Sequence, residues 1–180
     1  SSNYSVVLQQ QPLQLLVTAS GKDKGRLTRN DFVQVDAAGK PLHEDQPKSS
    51  TETLLHVAIA QETTAGAILH THSVWGTVLS EQFFSEGAIS ITDYEMLKGL
   101  DNVTTHQHIE HLSIFDNTQD IAQLASDLRD RFQQQPEQLA HGFLIRQHGL
   151  YTWGETLADA QRQIEVFEFL LECIGRRGHS

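Results

Sequence analysis

The sequence predicts an α/β protein. Apolar segments that alternate like β-strands are interleaved with segments whose apolar residues recur every three or four positions, as in helices. A length of 180 residues and a hydrophobic content of 38% are sufficient for one buried core. The sequence shows no internal repeat and no low-complexity linker. We therefore expect a single domain over residues 1–180.

The first third of the chain is predicted to contain two strands joined through a glycine turn. Residues 13–18 (LQLLVT) and 32–36 (FVQVD) have the composition of strands. Ser20, Gly21 and Lys22 begin the turn that follows the first of them. Such a turn is either a plain surface turn or a cradle in which N–H groups and an ammonium bind an anion.

A helix is predicted to begin near residue 49. Ser49 and Glu52 have the spacing of a capping box, and an apolar run follows through residue 59. This spacing gives Glu52 a structural role, that of a capping carboxylate.

Residues 67–72 (AILHTH) are predicted to form a buried strand that ends in two histidines. Alternate side chains of a strand point to the same face, so His70 and His72 are expected to lie side by side. Two adjacent imidazoles can occupy two positions of a divalent metal, most commonly zinc. Two locally hydrogen-bonded histidines are the alternative.

The middle of the chain is predicted to form a helix over 74–79 and a strand over 88–91, with Glu95 just beyond the strand. A second histidine cluster, comprising His106, His108 and His111, follows in a polar neighbourhood. We expect that cluster to lie on an exposed edge or loop.

The last third of the chain supplies a third candidate ligand between predicted elements. An amphipathic helix covers 120–135, a strand covers 142–145, and a long helix covers 156–174. His148 follows the strand, and Gly149 behind it would let the backbone turn. A solvent-facing histidine at a strand end is the alternative reading.

Composition restricts the classes of partner. A net charge of −10 argues against nucleic acid or an acidic membrane, but it leaves room for one small phosphorylated ligand. No apolar run approaches the roughly 20 residues of a membrane-spanning helix. The single Cys173 cannot form an internal disulfide, which fits a reducing compartment such as the cytoplasm.

Five separated motifs together resemble the class II aldolase and adducin family. They are Ser2-Asn3-Tyr4-Ser5, the turn over 20–25 (SGKDKG), Ser50-Thr51-Glu52, His70-Thr71-His72-Ser73 and Arg146-Gln147-His148-Gly149. Residues 95–99 (EMLKG) and 151–156 (YTWGET) are most similar to the branch that dehydrates 5-methylthioribulose 1-phosphate in methionine salvage. The match spans nearly the whole chain, although Ser2 replaces the family's usual glycine. The His106 cluster matches no family motif.

The resemblance implies a fold and an assembly. The family has an α/β/α layered domain around a mixed, mostly antiparallel sheet, with one further helix before the position of Ser1. It commonly forms a homotetramer whose active sites lie between neighbouring subunits.

The resemblance also implies the roles of individual residues. One Zn²⁺ per subunit would be bound by His70, His72 and His148. Glu95 would be the acid/base, and Glu52 would have a secondary role at the site. The phosphate would be bound by Asn3, Ser20, Gly21, Lys22 and Ser50.

Two other functions remain open from the sequence. A class II sugar-phosphate aldolase or a pentulose-phosphate 4-epimerase would use the same metal and phosphate sites. A non-catalytic scaffold like the adducin head domains would keep only the fold. The three imidazoles would also accept iron(II), cobalt or manganese, so the ligands do not select one metal.

Overall fold

One mixed sheet of eight strands lies at the centre of the computed structural model, which describes residues 2–23 and 25–178. Lys24 of the predicted turn therefore lies outside the described residues. The strands are β1 (Asn3–Gln10), β2 (Leu13–Thr18), β3 (Phe32–Asp36), β4 (Ala67–Thr71), β5 (Ala88–Ile91), β6 (Glu110–Phe115), β7 (Gly142–Ile145) and β8 (Gly149–Gly154). Their order is β3-β2-β1-β4-β8-β7-β6-β5. Within the described ranges only β6 and β7 pair in parallel, so the predicted mixed, mostly antiparallel sheet is confirmed.

Helices cover both faces of the sheet. The helices are α1 (Thr53–Glu62), α2 (Val74–Gln82), α3 (Ile121–Gln134) and α4 (Leu157–Arg177). The first large hydrophobic core includes residues of α1 and α3, the second includes residues of α2 and α4, and a small third cluster joins β4 to α4. Strand β7 contributes to both cores, because Phe143 and Ile145 belong to the first and Leu144 to the second. The layers are therefore α/β/α. Among the described residues, no helix is long and apolar enough to cross a bilayer.

The sequence patterns did not predict three of the strands, β1, β6 and β8. β8 is buried at every position, so it shows no alternation. β1 alternates buried and half-buried positions, but its buried positions are polar, as at Asn3 and Ser5. β6 begins at Glu110, inside the region expected to be an exposed edge or loop. Hydrophobic alternation cannot reveal a strand whose buried positions begin with hydrogen-bonded polar groups.

The start of α1 differs from the predicted capping box. The helix begins at Thr53, and Glu52 occupies the N-cap position without a side-chain capping bond. Ser50 provides the local contacts instead: its carbonyl accepts a hydrogen bond from the Thr53 hydroxyl, and its hydroxyl accepts one from the Glu52 N–H. The capping role expected for Glu52 is therefore wrong, and its carboxylate is free to point towards the sheet.

Sheet pairing determines which residues meet at the centre of the molecule. β4 lies between β1 and β8, and His70 pairs in register with Asn3 on one side and Tyr151 on the other. The turn between β7 and β8 contains His148, so the third histidine reaches the C-terminal end of β4. This pairing brings distant parts of the sequence to one end of the central strand.

Candidate active site

The three histidines expected to bind metal lie together. His70 is buried on β4, His72 follows that strand, and His148 lies in the turn between β7 and β8. One ring nitrogen from each residue lies within 4.8 Å of the others. The ring centroids are 4.7 Å apart for His70 and His72, and 4.6 Å apart for His72 and His148.

The ring nitrogens of His70 and His72 are better suited to binding a metal ion than to binding a proton. His70 Nδ1–H donates to the Leu150 carbonyl at 2.9 Å, which leaves Nε2 as a lone-pair donor 2.8 Å from His72 Nε2. Burial and the neighbouring His148 and His72 hold the pKa of His70 well below its usual value. Desolvation and His148 lower the pKa of His72 to about 4. Neutral imidazoles that converge in this way fit a divalent transition metal.

Gly149 is required at this site for space. A Cβ at this position would lie 2.2 Å from the Thr71 carbonyl oxygen and 3.1 Å from His70 Cε1. The backbone turn expected of this glycine is instead made by Gln147, whose φ is +51°. Gly149 therefore permits β8 to approach β4 closely beside the histidines.

Replacing Gly149 with alanine is expected to disturb the metal site by shifting the backbone of β8. The added methyl group must push β8 away from β4, at a cost of about 1–3 kcal/mol in the free energy of unfolding. The metal content should fall with it, as measured by elemental analysis and urea unfolding. Gly178→Ala is the matched control, since its Cβ would meet its nearest atom at 3.7 Å. Full metal content in Gly149→Ala would contradict this role.

Glu52 faces the histidines. Its carboxylate oxygens lie 3.7 Å from His70 Nε2 and 3.3 Å from His148 Nε2. Asn3 Nδ2 donates to Glu52, while the side-chain oxygen Oδ1 of Asn3 accepts a hydrogen bond from His56 Nε2. His56 Nδ1 in turn accepts from the Ser5 hydroxyl at 2.7 Å. The chain Ser5–His56–Asn3 thus fixes the orientation of the Glu52 carboxylate.

The buried His56 is expected to make the protein less stable in acid. Burial lowers the pKa of His56 from its usual 6.5 to about 3. Below pH 6.5 the unfolded chain therefore binds one more proton than the folded chain. The free energy of unfolding therefore decreases as the pH is lowered. This residue should contribute a loss of about 3 kcal/mol between pH 6.5 and pH 4.

Urea unfolding at several pH values in the presence of a chelator tests this contribution. His56→Gln keeps an amide donor but does not titrate, so its loss of stability over this range should be smaller by about that amount. His111→Gln, at an exposed histidine, should behave like the unaltered chain. Identical pH dependence in His56→Gln and the unaltered chain would refute the assignment.

A cavity of about 410 Å³ opens onto Glu52 and His148. All five residues expected to bind phosphate line it: Asn3, Ser20, Gly21, Lys22 and Ser50. Gly21 has a φ of +72° and open space where a Cβ would be. The Lys22 ammonium pairs with Asp31 at 3.0 Å, and Asn3 binds Glu52, so hydroxyl and N–H groups make up much of the remaining polar lining.

Sequence reasoning missed three polar residues of this cavity and one of its supports. Asn117, Thr118 and Gln119 line the cavity from the segment before α3. Their only sequence signal is a polar run that ends at Asp120, the N-cap of α3. His56 gave no signal, because it lies within an otherwise apolar helix.

Glu95 lies elsewhere on the described chain. It begins a short 3₁₀ helix (Glu95–Gly99), is 69% exposed, and contacts Lys98 and His106. The hydrogen bond from Lys98 lowers the pKa of Glu95. Among the described residues it lines a groove with Tyr94, Met96, Phe169 and Cys173, rather than the cavity at the histidines.

The second histidine cluster is divided in the structure. His106 and His111 are exposed, as expected. His108 is only 32% exposed and contacts the buried Glu110, which also contacts the buried His141. The expectation of a wholly exposed cluster is therefore wrong for His108, because Glu110 and His141 approach it from β6 and from the segment before β7.

Sequence comparison finds close relatives along nearly the full chain. Residues 1–174 match the family model described as the class II aldolase and adducin N-terminal domain. The chain is 47% identical over 174 residues to a methylthioribulose-1-phosphate dehydratase from Marinobacter nauticus, covering 96% of this chain and 81% of that protein. A protein of the same name from Pseudomonas aeruginosa is 48% identical, with 96% and 82% covered.

Structure comparison finds the same fold in more distant proteins. An L-fuculose 1-phosphate aldolase superposes with a TM-score of 0.76 at 18% identity, covering 100% of this chain and 78% of that one. An L-fuculose-1-phosphate aldolase from Thermus thermophilus gives a TM-score of 0.69 at 22% identity, covering 97% and 82%. At these identities the likeness concerns the fold alone.

Proposed function

The chain belongs to the class II aldolase and adducin family, and on that premise we propose that it is a hydro-lyase of methionine salvage. It converts 5-methylthioribulose 1-phosphate into 2,3-diketo-5-methylthiopentyl 1-phosphate and water. One observation supports this most: three converging imidazoles adjoin a polar cavity of about 410 Å³, in a chain 47–48% identical to proteins named methylthioribulose-1-phosphate dehydratase.

The residues of the cavity suit a phosphorylated ketose. The phosphate lies among the Ser20 and Ser50 hydroxyls and the open side of Gly21, which favour an anion through hydrogen bonds. The N-terminus of α3 lines the same cavity through Ile121 and Leu124, but the Asp120 carboxylate that caps it offsets its positive potential. The sugar then extends towards Glu52 and His148.

His70, His72 and His148 hold the metal, which we assign as Zn²⁺, one per subunit. When bound, zinc supplies Lewis acidity to the carbonyl and hydroxyl oxygens of the substrate. The chain's own contribution is orientation. The Leu150 carbonyl fixes the His70 tautomer, and Asn3 holds the Glu52 carboxylate beside the histidines, where it positions the substrate or contacts the metal.

The reaction requires a base beside C3 of the ketose, and we assign that role to Glu95. It removes the C3 proton and returns it to the C4 hydroxyl, which leaves as water; the resulting enol becomes the 2,3-diketone. Because Glu95 lies outside the cavity of its own chain, it acts in the cavity of a neighbouring subunit of a homotetramer. Transfer from solvent into that cavity would raise the pKa of Glu95. The assembled enzyme is assigned to the cytoplasm.

A second candidate function is a class II aldolase or pentulose-phosphate 4-epimerase. The position of Glu52 favours it, since a carboxylate 3.3 Å from His148 Nε2 could itself act as the base at the metal site. Glu52 would then serve as the base in place of Glu95. The two candidate functions are distinguished by the substrate that the chain turns over.

Turnover by the purified chain, with metal content read by elemental analysis, tests the proposal. Diketone formation should fall about a hundredfold or more on chelation and return with zinc. Parallel additions of iron(II), cobalt and manganese identify the metal that supports the reaction best. Turnover of fuculose 1-phosphate or ribulose 5-phosphate, without dehydration, would support the second candidate. A chain without metal or turnover would be a scaffold.

A further inference from the structure

A second cluster of ligand-type side chains lies apart from the candidate active site. Its members are His108, Glu110 and His141, called here the 108–110–141 cluster. His108 Nε2 and His141 Nδ1 each lie 2.8 Å from the same carboxylate oxygen, Glu110 Oε2. Glu110 is 2% exposed and His141 is 8% exposed, so the carboxylate is almost completely removed from water.

The topology explains why these residues meet. His108 lies two residues before Glu110, the first residue of β6, and its ring contacts the Glu110 carboxylate. His141 immediately precedes β7. β6 and β7 are the parallel pair of the sheet, and parallel neighbours begin at the same edge. The cluster is thus held by the start of two adjacent core strands.

The hydrogen bonding of the cluster is incomplete. Glu110 Oε1 is buried and has no hydrogen-bond partner among the described residues. Such a buried carboxylate oxygen is costly unless a ligand occupies the space beside it. His141 Nε2–H donates to the Asp101 carbonyl at 2.8 Å, which leaves its Nδ1 lone pair facing the Glu110 carboxylate. A cation bound by the His141 lone pair and by both carboxylate oxygens would relieve both features.

We propose that the 108–110–141 cluster is a second divalent metal site, of the class that takes Zn²⁺. Two imidazoles and one carboxylate are a common zinc donor set, and the Asp101 carbonyl orients His141 as a carbonyl orients His70. Tetrahedral zinc places its donors roughly 3.3 Å apart, so the contacts now at 2.8 Å need open by only about half an ångström. The partly exposed side of His108 leaves room for water as a fourth ligand.

A metal at this site would anchor the segment that contains Glu95 to the central sheet. That segment runs from Asp93 to His108, and the Asp93 N–H donates to the His106 carbonyl at 2.9 Å. Asp101, in its middle, already binds His141 and pairs with Arg162. The ion would therefore link this long connection to β6 and β7. This site is structural and does not depend on which reaction the chain performs.

The competing occupant is a proton. Burial acts to lower the pKa of His141, but the hydrogen bonds with Glu110 and Asp101 and the charges of these two residues together outweigh burial and raise the pKa. A protonated His141 would then form an ion pair with Glu110, and no metal would be needed. Counting metal ions in variants separates these two occupants.

Zinc titration of the full-length chain, followed by elemental analysis, tests the site. The unaltered chain should bind two equivalents, and His148→Ala, which lacks a ligand of the first site, should retain one. Adding His108→Ala to that variant should remove the remaining equivalent, whereas adding His111→Ala, at an exposed neighbour, should not. His108 is partly exposed, so its truncation leaves the buried Glu110–His141 pair in place.

A second readout reports the ligands directly. Cobalt(II) bound to the His148→Ala variant should give a visible spectrum of a four-coordinate ion, and that spectrum should disappear in Glu110→Gln. One equivalent in the unaltered chain and none in His148→Ala would overturn the proposal in favour of the protonated pair. A remaining equivalent that survives both His108→Ala and Glu110→Gln would likewise overturn it.

Discussion

Replacement of His148 with alanine is expected to lower the metal content by one equivalent per chain and kcat/KM by about a thousandfold. The loss corresponds to roughly 4 kcal/mol of transition-state stabilisation, within the range that a bound Lewis acid supplies. His148 is the most informative of the three proposed ligands. It lies in a turn and is only half-buried, whereas removal of His70 would leave a hole in the core beside Tyr151.

Elemental analysis and steady-state turnover of 5-methylthioribulose 1-phosphate measure the two losses together. His111→Ala is the control, because His111 is an exposed histidine whose ring contacts the Ser90 hydroxyl. Its metal content and kcat/KM should match those of the unaltered chain. A His148→Ala protein that has lost the metal but keeps full activity would exclude this site from catalysis.

Replacement of Glu95 with glutamine is expected to lower kcat by about 10²- to 10⁴-fold while leaving the bound metal in place. Glutamine has nearly the shape of glutamate but cannot accept the C3 proton, and general-base catalysis is worth about that factor. Metal content should not change, because Glu95 is 69% exposed and separate from the histidines in its own chain. Rapid-quench turnover and elemental analysis provide the two readouts.

Glu52→Gln is the matched comparison for Glu95→Gln. Its carboxylate lies 3.3 Å from His148 Nε2 and accepts a hydrogen bond from Asn3, so its loss should weaken metal binding as well as turnover. An inactive Glu52→Gln beside a fully active Glu95→Gln would transfer the role of base to Glu52. That result would also favour the aldolase or epimerase reading.

Mixing two inactive variants tests whether Glu95 acts across a subunit boundary. Glu95→Gln retains the metal site and His148→Ala retains the carboxylate. Mixed assemblies should therefore contain some cavities that have both, and activity should return after the subunits are exchanged. A base that serves its own chain would give no recovery, since every chain would lack one of the two groups.

Local patterns in the sequence determined most of the elements. The period-two placement of His70 and His72 on a strand, the amphipathic period of α3 and the N-cap of α4 at Thr156 depend on neighbours within a few residues. The strands β1 and β6 were missed because their buried positions include the polar residues Asn3, Ser5 and Glu110, which hydrogen-bond to residues 31 or more positions away along the chain. Polar groups of this kind have no hydrophobic signature.

The sequence by itself determined the class of the fold, through its alternation of strand and helix patterns, and the family, through motifs spread over the chain. Tertiary structure decided which side chains meet. His148 reaches His70 only through the pairing of β4 with β8, and Glu52 turns towards them because Asn3, on the neighbouring strand β1, binds its carboxylate. The pairing of β6 with β7 likewise brings Glu110 to His141, 31 residues away. Local sequence patterns cannot predict these long-range contacts, because strand pairing depends on burial and hydrogen bonding over the whole sheet.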